Sequence, residues 1–147
     1  MRVWGWVVVV ILAGSGPGCS RAADQSLPQP AESEVSGLAT TLEVEVAGDL
    51  VRLALHATNS TTEPIRLEFP SAQRYDFMIR TTAGEVVWSW SADKSFAQML
   101  GAETVPPGGT LRYRAEWNSG GRKGSFEAVG WLTAFGKRLE QRTRFEL

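Results

Sequence analysis

Apolar and polar residues alternate with a period of two through much of this chain, most informatively between residues 71 and 100, SAQRYDFMIRTTAGEVVWSWSADKSFAQML. Tyr75, Phe77 and Ile79 fall on one face of an extended strand, with Arg74, Asp76 and Arg80 on the other. A turn through Thr82, Ala83 and Gly84 leads into a second apolar strand, where Trp88 and Trp90 share a side. Strands carrying such rings cannot stand alone, because each aromatic side chain has roughly 150–250 Å² to bury. A second layer must cover them. The block therefore marks the centre of a β protein.

The same period continues on both flanks. Leu42, Val44 and Val46 oppose Glu43 and Glu45, and Gly48-Asp49 supplies a two-residue hairpin turn. Val51, Leu53, Leu55 and Ala57 make the next buried face. After the loop 59–64 come Ile65, Leu67 and Phe69, a strand that Pro70 ends. Beyond Trp90 the spacing changes: Phe96, Met99 and Leu100 stand at i, i+3 and i+4 with Asp93 placed to cap them, which predicts one or two helical turns. Past the turn of Pro106, Pro107, Gly108 and Gly109, Leu111, Tyr113, Ala115 and Trp117 alternate with Arg112, Arg114 and Glu116. Residues 126–135 are apolar on both faces, as a central strand would be. Leu139, Gln141, Thr143 and Phe145 alternate with charge, which suits an edge strand that resists foreign pairing. About eight strands at spacings near ten residues, with one short helical turn, predict an all-β, antiparallel, immunoglobulin-like β-sandwich. Cys19 is the single cysteine, so no internal disulfide pins the sheets and aromatic burial has to.

The amino terminus follows other rules. Arg2 precedes an apolar core of Val7, Val8, Val9, Val10, Ile11, Leu12 and Ala13, then small residues Gly14, Ser15, Gly16 and Gly18, then Cys19. A helix needs about 20 residues to cross a bilayer, so this shorter run reads as an export signal over residues 1–18. A lone cysteine directly behind such a core, ahead of a polar stretch, resembles the modification site of bacterial lipoproteins. The resemblance implies a thioether-linked diacylglycerol on Cys19 and an exported protein anchored to the membrane of the cell envelope. Cleavage after Ala22, releasing a secreted soluble protein, is the alternative. Two or three acyl chains anchor stably where one binds marginally, at ~0.8 kcal/mol per buried CH₂. Residues 19–38 are rich in Ser, Ala, Pro, Gln and Glu; they cannot bury enough surface to offset ordering entropy and read as a flexible tether. Residues 39–147 read as one domain with a self-sufficient core.

Acidic and basic residues nearly balance, 16 against 15, and no basic run exceeds Arg122-Lys123 or Lys137-Arg138, which argues against nucleic acid as a partner. His56 is the only histidine and lies on the strand face opposite Leu53 and Leu55. Metal sites built from several His or Cys ligands are excluded by count, and no motif around any serine suggests a nucleophilic triad; no catalytic residue, metal or cofactor is expected. The candidate binding surface is Gln73, Tyr75, Asp76, Trp88 and Trp90. Asp76 has two readings: a member of a recognition patch, or a residue fixing the hairpin through an ion pair or backbone bonds, the commoner use of an isolated charge there. Trp88 and Trp90 are packing surface if buried and a binding hot spot if exposed. Asn59-Ser60-Thr61 fits a glycosylation sequon but reads as an ordinary polar loop. The loop 118–123, with Gly120 and Gly121 ahead of Arg122, reads as flexible and protease-sensitive.

The order Ser71-x-Gln73-x-Tyr75-Asp76-Phe77, then Gly84-x-x-Val87-Trp88-x-Trp90-Ser91, then Phe96-x-Gln98, resembles the intracellular proteinase inhibitor (BsuPI) family. Asn59, Leu67-x-Phe69, Pro107-Gly108, Trp117 and Gly124-x-Phe126 agree, so the likeness covers most of residues 41–132. It implies an immunoglobulin-like all-β domain and a protease among the partners. Three functional expectations follow. The first is an envelope-anchored, non-catalytic module that binds another protein, protease inhibition outside the cytoplasm being one form of it. The second is a purely structural or assembly domain. The third, a hydrolase, would need a pocket with convergent polar groups.

Overall fold

The computed structural model describes residues 37–136 and 139–147. The export segment, Cys19 and residues 19–36 of the tether lie outside the described residues. Nine strands are present among the described residues: β1 (Leu38–Ala47), β2 (Leu50–Asn59), β3 (Ile65–Phe69), β4 (Tyr75–Thr81), β5 (Val86–Ser89), β6 (Gly101–Val105), β7 (Thr110–Asn118), β8 (Ser125–Leu132) and β9 (Glu140–Glu146). They pair antiparallel in three sheets, ordered β1-β2-β7, β3-β6 and β5-β4-β8-β9, and make the all-β sandwich that the alternation predicts.

Each face sits where period two puts it. Ala47 pairs with Leu50 across the Gly48-Asp49 turn, and Gly48 takes the left-handed φ of 63° that such a turn needs. Val51, Leu53, Leu55 and Ala57 are fully buried, as are Phe77 and Ile79 on β4. Burying each of the larger of these side chains stabilises the fold by about 1.5–3 kcal/mol. Gly130 on β8 stands opposite Phe77; a Cβ there would lie 3.0 Å from the Phe77 ring and 3.2 Å from Leu42. The missing side chain is what lets the ring seat between the sheets. β8 is interior and buried on both faces, through Ala128 and Val129, whereas β9 is an edge whose Arg142, Arg144 and Glu146 face solvent.

Aromatic rings link the sheets without a disulfide. Trp117 on β7 meets Phe126 on β8 edge-on at 5.9 Å, and Phe126 stacks on Phe145 of β9 at 5.8 Å. Each such pair adds about 0.5–1.5 kcal/mol beyond its buried area. β1 also lies against β9. Gln141 Nε2 donates to Thr40 Oγ1 at 2.9 Å, and Thr143 Oγ1 donates to the Leu42 carbonyl at 3.0 Å.

Two expectations fail. No helical turn forms between Trp90 and Leu100. Residues 90–93 make successive turns, with Ala92 N donating to Ser89 O and Lys94 N to Ser91 O, and residues 94–100 then run without regular structure. Met99 is 64% and Leu100 75% exposed, so no apolar face is buried to offset the unfavourable start of a helix. The second is Asn59. It is completely buried, not part of an open polar loop. Its Nδ2 donates to the carbonyls of Glu63 (2.7 Å) and Val105 (2.9 Å), and its Oδ1 accepts from Thr61 N and Oγ1. A single side chain thus ties β2, the following loop and β6 together. β1 begins at buried Leu38, one residue inside the segment read as tether.

Candidate functional site

The β4–β5 hairpin brings the candidate residues into one neighbourhood. Met78 pairs with Ser89 and Ile79 with Trp88, and the Trp90 N–H donates to Phe77 O at 2.9 Å just past the strand. Opposed residues share a face, so Trp88 follows Ile79 and packs, half-buried, against the core. Trp90 does more. Its ring lies 4.3 Å from Tyr75, Tyr75 stacks on Tyr113 of β7 at 4.5 Å, and Phe96 approaches Trp90 at 5.8 Å. The Lys94 ammonium sits 4.7 Å above Trp90 and donates to the Trp90 carbonyl at 2.8 Å. The result is a half-exposed row of four rings, Phe96, Trp90, Tyr75 and Tyr113. Burial raises both phenols from the ordinary tyrosine value, and at Tyr113 the Glu103 carboxylate adds to the shift.

The polar candidates bond to groups of their own fold. Asp76 is 7% exposed; Oδ1 accepts from Phe77 N at 2.8 Å and Oδ2 from Ser91 Oγ at 2.6 Å, so it locks the hairpin to the turn after β5. Gln73 Nε2 donates to the Tyr75 carbonyl at 3.1 Å, and the Gln73 carbonyl accepts from Thr133 Oγ1 at 2.7 Å. Beneath the rings lies a network with no counterpart in the sequence reading. Arg74 Nε donates to Glu103 Oε1 at 3.0 Å, Tyr113 Oη to Glu103 Oε2 at 3.0 Å, and the Arg74 guanidinium covers the Phe69 ring at 4.6 Å. Glu103 belongs to β6, the strand that follows the irregular stretch 94–100. Tyr113 could have been found from its place on the inward-reading face of β7; Glu103 carries no such signal.

Exposed Leu100 and Phe135 flank a recess of about 300 Å³ lined also by Arg66, Glu68, Phe69, Gly101 and Ala102. Phe135 N donates to Glu68 O at 2.7 Å and fixes that wall. The loop 118–123 is less free than its glycines suggest. Ser119 is buried, Ser119 N donates to Asp49 O at 2.7 Å, and Asn118 Oδ1 accepts from Gly120 N. His56 lies half-buried on β2 opposite Thr41 and Arg112, away from the ring row.

No curated protein matches this chain. Solved structures of similar shape include a penta-heme cytochrome c552 from Thermochromatium tepidum, with a TM-score of 0.49 and 9% identity over 76% of this chain and 40% of that one. β-Glucosidase 3B from Thermotoga neapolitana has a TM-score of 0.39 and 17% identity, over 80% of this chain and 17% of that one. A protein from Archaeoglobus fulgidus has a TM-score of 0.38 and 15% identity, over 74% and 94%. The chain thus spans less than half the length of the first two. The sequence model of the BsuPI family, described as intracellular proteinase inhibitor, matches residues 38–136. That span runs from the first residue of β1 past the end of β8, through the ring-bearing hairpin and its flanks, and the chain belongs to the BsuPI intracellular proteinase inhibitor family.

Proposed function

We propose that this chain is a non-catalytic protein-binding module whose partner is a protease, and that it works outside the cytoplasm, held at the cell envelope by lipid on Cys19. Membership of the BsuPI family is the observation that carries the reading. The site is consistent with binding: Asp76, Gln73 and Glu103 all engage groups of their own fold, so the neighbourhood offers a partner shape, rings and apolar surface. The address rests on the short apolar core and the single cysteine behind it. Incubating the chain with a panel of serine proteases of differing specificity tests the reading. Slowed hydrolysis of a small chromogenic peptide at micromolar inhibitor is expected for at least one enzyme. If every enzyme turns over at its control rate, the inhibitor reading is wrong.

A further inference from the structure

We propose that residues 94–100 are the segment that enters the protease, that Met99 fills the enzyme's primary specificity pocket, and that the target is therefore a protease with an apolar pocket. The proposal rests on the inhibitor reading above and adds to it a contact segment and a partner class. A protease cleft receives a chain in extended form, much as a sheet edge receives an added strand. Most of the connections cannot lie flat in one, because they turn on glycines at positive φ: Gly48, Gly84, Gly108, Gly120 with Gly121, and Gly136. The loop after β2 is drawn inward by Asn59, and that after β3 is held by the Arg74 guanidinium on the Ser71 carbonyl. Residues 94–100 contain no such glycine and lie on the surface.

The segment is also held in place before any partner arrives. Ala97 O accepts from Ala72 N at 2.9 Å, Phe96 packs on Trp90, Lys94 is fixed to the Trp90 carbonyl, and Gly101 enters β6 opposite Phe69. Such preorganisation lowers the ordering cost of binding. Within it, Met99 and Leu100 are the large apolar side chains left to water. Leu100 borders the recess with Phe69 and Phe135, whereas Met99 lies outside that wall and is exposed. An unbranched, flexible thioether suits an apolar pocket.

The test uses the full chain against subtilisin, which has an apolar pocket, and trypsin, which has an acidic one. Subtilisin should be inhibited and trypsin not. Met99→Asp should raise the inhibition constant for subtilisin at least about tenfold, and Arg122→Ala should leave it within about twofold. Because Met99 is exposed, the circular dichroism spectrum and melting midpoint of Met99→Asp should match the parent, which separates lost contact from lost fold. Met99→Lys should gain inhibition of trypsin. If subtilisin is inhibited equally by the parent and Met99→Asp, the segment is wrongly chosen while the inhibitor reading survives. If inhibition depends on Arg122, or only trypsin-like enzymes are slowed, the assignment is overturned in the same way. Failure against the whole protease panel removes both readings.

Discussion

Asn59 shows how much one side chain can hold in a fold without a disulfide. Both ends of its amide are engaged, and the partners lie in two separate segments of chain. Asn59→Asp would turn an acceptor, and a buried charge, toward the carbonyls of Glu63 and Val105. It should cost about 3 kcal/mol or more, seen as a lower urea midpoint with unchanged slope. An unchanged midpoint would show that this corner is not needed. The tyrosines make a pH prediction. The chain has two, Tyr75 and Tyr113, and both phenols are held above their ordinary value, chiefly by burial. In the unfolded chain they lose their protons near pH ~10, while the folded protein keeps them. The unfolded state then binds fewer protons, so the stability present below that pH is lost as pH climbs toward the folded values. The denaturation midpoint should fall as pH rises above about 10, and less steeply in Tyr113→Phe. Phenolate absorbance of the native protein should rise at higher pH than that of the unfolded chain; coincident curves would contradict this.

Elements here are defined by what they can bury or pair with. β8 carries Gly130 where Phe77 and Leu42 close in from β4 and β1, and the strand cannot hold a larger residue there without moving a ring. Gly130→Ala should destabilise by about 1–3 kcal/mol through overpacking, although alanine ordinarily favours a strand over glycine. Thermal melts decide it; a gain in stability would mean the ring can shift cheaply. β6 makes the complementary point. Gly101, Ala102, Glu103, Thr104 and Val105 hold one large apolar side chain among them, so alternation has almost nothing to show. The strand exists because β3 offers a complete ladder, from Ile65↔Val105 to Phe69↔Gly101, and because Glu103 answers Arg74 and Tyr113. The expected helix over the preceding residues lost for a related reason: the Ala97 carbonyl accepts from Ala72 N, and no buried face existed to repay a helical nucleus.

For the whole molecule, the proposed envelope anchor gives the clearest test. Cys19→Ser should abolish incorporation of labelled fatty acid and move the protein from the membrane to the soluble fraction; retention with an unlabelled cysteine would overturn the lipid reading. The amino-acid order by itself determined the class of fold, the inward faces of β1, β2, β4, β7 and β9, and the turns at Gly48-Asp49 and Gly84. Those features are local, since a period of two and a glycine at positive φ are set within a few residues. Tertiary structure alone decided that Asn59 is interior, that Tyr113 completes a row with Tyr75 and Trp90, that Asp76 locks a turn, and that residues 94–100 stand open to water. Each depends on which distant strand arrives alongside and how much surface it covers, a sum over the packed molecule that no short stretch of chain contains.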